Sequence, residues 1–187
     1  NNLAQTAEFL ADGTTPNTNA DLKELAGQTT SKGIELDLAA HPISGFNILA
    51  GYSYNNMRYT NIKTAKGNYI EGERLVSTPE HTANASIFYE FLSKELKGLK
   101  IGIDGHYVGN RLAGWNNKQG QAQNYNRLID VKGFTTIDAT IGYEFKKVEL
   151  LLKMSNLFNT YNYYVHENYS INPIAPRQII GTLSYRF

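Results

Sequence analysis

Seven segments of this chain alternate apolar and polar residues, and the connections between them alternate strictly between long and short. Successive side chains on a strand point to opposite faces, so each segment reads as a strand with one apolar and one largely polar face. Gly33–His41 puts Ile34, Leu36, Leu38 and Ala40 on the apolar face, and Phe46–Asn55 puts Phe46, Ile48, Ala50, Tyr52 and Tyr54 there. A third strand, from about Pro79 to Phe91, and a fourth, Leu99–Val108, follow the same rule. So do Thr136–Phe145, Val148–Met154 and the final Gln178–Phe187, whose apolar face is Ile179, Gly181, Leu183, Tyr185 and Phe187. The connections Pro42–Gly45, Leu92–Gly98 and Lys146–Lys147 are short. Asn56–Ser77, Gly109–Gly133 and Ser155–Pro176 are long and polar. A soluble sandwich has no reason to place all its long loops at one end, whereas outer-membrane barrels join short periplasmic turns to longer extracellular loops. The fold expected is all-β: an antiparallel transmembrane β-barrel segment of about seven full strands, with the three long connections outside the cell.

The residue types on each face agree with a membrane. Tyr52, Tyr54 and Tyr107 sit at the long-loop end of the apolar face. Phe46, Tyr89, Phe91, Tyr143, Phe145, Tyr185 and Phe187 sit at the short-turn end, which gives two aromatic girdles. Within the seven segments no Lys, Arg, Asp or Glu falls on that face. The opposite face carries Glu35, Asp37, Lys100, Asp104, His106, Asp138, Glu144, Glu149, Lys153 and Arg186. So many ionisable groups need a wide, wet lumen or a polar plug, because a small dry core would leave them desolvated. No apolar run approaches the length of a transmembrane helix, so a helical membrane protein is excluded. Cysteine is absent and the formal net charge is +1, which leaves no thiolate metal site and argues against nucleic acid as the main partner.

Seven is an awkward count for a bacterial barrel, where even numbers rule, and an unclosed sheet leaves edges. The opening residues Asn1–Ala4 have neither the basic start nor the apolar core of a signal peptide. They read instead as the end of a strand that begins upstream, with Gly13–Asn17 a loop and Asp21–Leu25 a short helical turn. The whole of residues 1–187 is expected to be the C-terminal part of a larger barrel.

Several stretches resemble one family in order. Ser77-Thr78-Pro79-Glu80-His81-Thr82-Ala83-Asn84 resembles the segment that opens a late barrel strand in TonB-dependent outer-membrane receptors. Ser31–Leu36, Phe134–Tyr143 and Ser155-Asn156-Leu157-Phe158-Asn159 with Tyr163-Tyr164 are similar to their other strand and loop signatures. Pro176-Arg177 leading to Tyr185-Arg186-Phe187 is similar to their C-terminal end. The resemblance covers about residues 31–187, and siderophore receptors are the nearest-looking branch. It implies a barrel of about 22 strands around a plug, with the plug, the earlier strands and the segment that meets the TonB complex all upstream. It also implies that the barrel assembly machinery reads the C-terminal aromatic signal, Tyr185 and Phe187.

The function expected is TonB-dependent uptake of a scarce ligand, most readily a ferric siderophore, with no enzymatic step and no bound cofactor beyond the iron chelate carried. Aromatic and Arg side chains in outer loops suit capture of a bulky chelate by stacking and charge. Trp115, Tyr125 and Arg127 form one candidate group, and Tyr164, His166 and Tyr169 another. Loop packing is the plainer role for both, above all for Tyr163 and Tyr164. Asp104 and His106 share the inward face as a barrel hydrolase would need, but no Ser partner is placed beside them. The four His have no paired ligand spacing, so no metal site is expected. Another outer-membrane barrel (a porin, adhesin or barrel enzyme) and a soluble β-sandwich binding module stand as the alternatives.

Overall fold

The computed structural model describes residues 2–7, 9–62, 71–114, 128–166 and 170–187. Eight strands make one antiparallel sheet: β1 (Asn2–Thr6), β2 (Lys23–Ala40), β3 (Phe46–Thr60), β4 (His81–Glu90), β5 (Leu99–Val108), β8 (Phe134–Phe145), β9 (Val148–Ser155) and β12 (Gln178–Tyr185). They pair in chain order. Two small ribbons stand apart from the sheet: β6 (Arg111–Ala113) with β7 (Ile129–Val131), and β10 (Tyr163–His166) with β11 (Ser170–Pro173). Each ribbon lies inside a connection that the sequence pattern marked only as long and polar.

Two expectations are corrected. Asp21–Leu25 is not a helical turn: Lys23, Glu24 and Leu25 already pair with Thr6, Gln5 and Ala4 of β1, so backbone pairing outweighs a weak local preference. The first full strand also begins at Lys23 rather than Gly33, and β3 runs on to Thr60, with Gln28 to Lys32 opposite Thr60 to Asn56. These extensions carry Lys32 and Arg58 on the parity of Ile34 and Tyr54. The charge-free outer face therefore ends at the girdle, and the sheet continues beyond it into water.

The sheet has no second layer over it among the described residues, and no large side chain is fully buried. Its apolar face lies open: Ile34 is 62% exposed, Ile103 58%, Leu150 55% and Leu183 73%. A soluble sandwich would cover that band, so the sandwich alternative does not hold. Among the described residues no helix is long and apolar enough to cross a membrane. Phe46 to Tyr54 spans about 27 Å along β3 at ~3.4 Å per residue, the scale of the apolar band of an outer-membrane barrel. The lower girdle is packed, with Phe46 against Tyr89 (5.9 Å), Tyr89 against Phe91 (4.7 Å) and Tyr185 against Phe187 (5.2 Å). The upper girdle gains His81, whose Nδ1 lies 2.8 Å from the Tyr52 hydroxyl and whose ring tilts against Tyr54.

The inward face carries the pairs its charges demand. Lys100 reaches Glu149 at 2.7 Å and Glu144 at 3.0 Å, Arg186 reaches Glu144 at 3.4 Å, and Lys153 reaches Asp138 at 3.1 Å. Lys100 and Asp138 are largely covered and Arg186 is exposed, and together the pairs report which way the strands face. The short turns are tied to neighbouring strands. Gly98 has φ 92° and its carbonyl accepts the Glu144 amide at 2.8 Å; a Cβ there would stand 2.1 Å from the Glu144 carbonyl oxygen. Only glycine meets both conditions.

Candidate functional site

The long connections meet above the lumenal face. Phe134 pairs with Val108 at the upper end of β8 and shares its face with Thr136 and Asp138, so its ring is on the lumenal side. Arg111, 5% exposed, lies over that ring with its guanidinium carbon 5.5 Å from the centroid. Its Nη2 donates to Asn162 Oδ1 at 3.0 Å and to the Tyr163 carbonyl, and its Nη1 points to the Lys132 carbonyl at 3.5 Å. Asn162 Nδ2 donates to the same Lys132 carbonyl at 3.0 Å. Tyr164 then packs edge-on against Phe134, 6.2 Å between centroids. Burial lowers the Arg111 pKa from its ordinary value, yet a group that starts above about 12 stays charged. The buried cation is thus held by carbonyl and amide oxygens and an aromatic face.

The third connection joins at Ser77. Its amide donates to the Leu112 carbonyl at 2.7 Å, and its hydroxyl donates to the Val165 carbonyl at 2.6 Å. One residue of the β3–β4 connection therefore touches both ribbons. Arg74 adds a bond to the Asn110 carbonyl at 3.3 Å and lies 3.4 Å from Glu80.

Asn156 organises the exit from β9. It is 4% exposed, with φ 50°. Its Nδ2 donates to the carbonyls of Thr160 (3.0 Å) and Ala175 (2.9 Å), its Oδ1 accepts the Thr160 amide (2.8 Å), and its own amide donates to Asp138 Oδ1 (2.9 Å). Asn159, also left-handed at φ 52°, accepts the Arg177 amide at 3.0 Å. Asn tolerates positive φ better than most residues and can bond to nearby backbone. The Ser155–Asn159 signature is therefore a turn that binds the start of the last connection to its end.

Of the candidate ligand contacts, Trp115, Tyr125, Arg127 and Tyr169 lie outside the described residues. His166 closes the β10–β11 ribbon through backbone pairing with Ser170. Tyr164 is about half exposed and rests on Phe134, so its packing role is evident. Arg111, Asn162 and Phe134 were not singled out by sequence. His106 lines a recess of about 380 Å³ on the lumenal face with Glu35, Asp37, Ser53 and Asn84. Among the described residues Asp104 and His106 make no hydrogen bond to each other, and no group of three or more potential metal ligands occurs.

A family profile described as "TonB dependent receptor-like, beta-barrel" matches residues 1–157. The chain belongs to the TonB-dependent receptor β-barrel family. This places the sheet in the outer membrane of a Gram-negative cell and removes the porin and adhesin alternatives. TonB-dependent receptor relatives include the ferrichrome outer membrane transporter/phage receptor of Escherichia coli, 27% identical over 167 residues, or 86% of this chain and 20% of that protein. The ferrioxamine B receptor of Salmonella typhimurium is 28% identical over 169 residues, covering 86% of this chain and 22% of that protein. In fold, the pyoverdine outer membrane receptor of Pseudomonas aeruginosa matches with TM-score 0.74 and 15% identity, over 100% of this chain and 25% of that one. The chain thus spans about a fifth of the length of the curated TonB-dependent receptors it matches.

Proposed function

We propose that this chain supplies closing strands and outer connections of a receptor that imports a ferric siderophore with energy from TonB. The observation that carries this is the meeting of three outer connections at Ser77, Leu112 and Val165 above the lumenal face. A loop cluster over a polar lumenal face is where a chelate would first be held. The names of the two curated relatives support ferric chelates as the ligand class. No chemistry is done on the ligand, and the plug, earlier strands and TonB-contacting segment belong to the rest of the protein. Trp115, Tyr125, Arg127, Tyr164, His166 and Tyr169 remain the proposed ligand contacts. Phe187, wholly exposed at the lower rim, is the proposed signal to the barrel assembly machinery, with its neighbour Tyr185.

The test is uptake of radioiron as ferrichrome and as ferrioxamine B by cells carrying the full-length receptor as their sole siderophore receptor. Uptake is expected with at least one chelate and is expected to vanish when TonB is inactivated. Energy-independent uptake, or none with any siderophore, would reject the reading. A second arm deletes Phe187. Uptake should fall in proportion to folded receptor in the membrane, read by heat-modifiable gel mobility, while binding per folded molecule stays unchanged. Normal assembly with lost binding would remove Phe187 from its assembly role.

A further inference from the structure

We infer that Arg111 is a positioning residue: it holds the β6–β7 ribbon and the β10–β11 hairpin as one body on the lumenal side of the outer mouth, so that the two connections meet a ligand together. The inference rests on the receptor reading above for its consequence, but its geometry stands apart from any ligand.

Three observations carry it. The guanidinium leaves one connection and is received by the other: Arg111 belongs to β6, whereas Asn162 Oδ1 and the Tyr163 carbonyl precede or open β10. The bonds are closed by a second route, since Asn162 also donates to the Lys132 carbonyl next to β7. Finally, Phe134 is shared. Arg111 covers its face and Tyr164 meets its edge, so one ring anchors both ribbons to the top of β8. An Arg buried to this degree needs its acceptors, so the ring contact and the hydrogen bonds to the second ribbon are made together. Lysine cannot substitute, because its single ammonium cannot serve the same planar fork or stack on the ring in the same way.

Pre-organised loops bind with less ordering cost than loops that must be gathered by the ligand. Arg111 should therefore act on affinity through loop order. The test uses the full-length receptor with spin labels on cysteines at Asp130 and Ile171, one in each ribbon, measured by double electron–electron resonance. A single narrow distance is expected, unchanged on addition of iron-loaded ferrichrome or ferrioxamine B. Arg111→Met and Arg111→Lys should both broaden it and weaken chelate binding by about tenfold, within the usual range of coupling effects. Asn162→Ala, which removes one acceptor, should broaden it less and add nothing on top of Arg111→Met; it also carries the test if Arg111→Met fails to assemble. A distribution unaffected by these changes, rescue by Arg111→Lys, or a wild-type distance that splits on ligand addition would overturn the inference. If the wild type binds no chelate, the ligand reading fails while the distances still decide whether Arg111 joins the ribbons.

Discussion

Leu152→Arg in the full-length receptor should cost roughly 2–4 kcal/mol of folding stability in lipid vesicles, the usual penalty for a cation near the midplane of the lipid face. Leu152 faces outward from β9, 44% exposed, between Ile141 on β8 and Gly181 on β12. Its same-face neighbours along the strand are Leu150 and Met154. Nothing there could accept a guanidinium's hydrogen bonds. Leu151→Arg is the internal control. Leu151 faces the lumen between Gly142 and Thr182, with Glu149 two residues away on the same face. An arginine there meets water and a carboxylate, and its main penalty is crowding, because the Leu151 side chain already approaches the space over Gly142. The loss should be clearly smaller. Equal losses measured by denaturant titration would reject the assignment of faces.

Asn156→Ala should release the last outer connection while leaving the sheet folded. The change removes three side-chain hydrogen bonds and strips partners from the carbonyls of Thr160 and Ala175 and the amide of Thr160. Thr160 is half-buried and Ala175 exposed, so water can take up part of the loss, and each bond removed contributes roughly 0.5–1.5 kcal/mol. It also places alanine at φ 50°, where asparagine is better tolerated. Hydrogen exchange should show the amides of Thr160 and Ile174 exchanging many-fold faster, with β8 and β9 protected as before. Asn156→Asp, which keeps Oδ1 as an acceptor for the Thr160 amide but loses the Nδ2 donor, should fall between. Unchanged protection in the alanine variant would mean that the turn is held by other contacts, such as Leu157 to the Ile137 carbonyl.

The strands were legible where one face meets lipid and the other meets water. Val148–Met154 and Gln178–Phe187 were readable almost to their ends because Leu150, Leu152 and Leu183 had to alternate with Glu149, Lys153 and Arg186. Above the girdle that requirement lapses. Lys23–Lys32 and Asn56–Thr60 lie beyond the lipid band, where no whole face has to be apolar, so they pair as strands without a periodic signature. The ribbons Arg111–Ala113 and Ser170–Pro173 also lie off the lipid band, the first largely buried among the connections and the second exposed, so neither shows a two-faced period. The loop cluster was less legible still. Asn156 stood inside a recognisable signature, but its role comes from carbonyls at Thr160 and Ala175 that no spacing rule connects. Arg111 is a single cation in a polar stretch, and only the folded chain brings Phe134 and Asn162 to it. The opposed faces of the sheet were therefore encoded locally, and the loop cluster was encoded in long-range backbone acceptors.

The central claim is that this sheet crosses the outer membrane with its long connections outside. Single cysteines in the full-length receptor, treated on intact cells with a membrane-impermeant thiol reagent, test it most directly. This chain contributes no cysteine of its own. Glu71, Asp130 and Ile171 are exposed in the long connections, and Ser44, Ser93 and Lys146 are exposed in the short turns. Cysteines at the first three positions should label on intact cells, and those at the last three only after the outer membrane is permeabilised. Labelling of Ser44, Ser93 and Lys146 on intact cells, with Glu71, Asp130 and Ile171 protected, would contradict the orientation and the loop cluster's place as the ligand's point of entry.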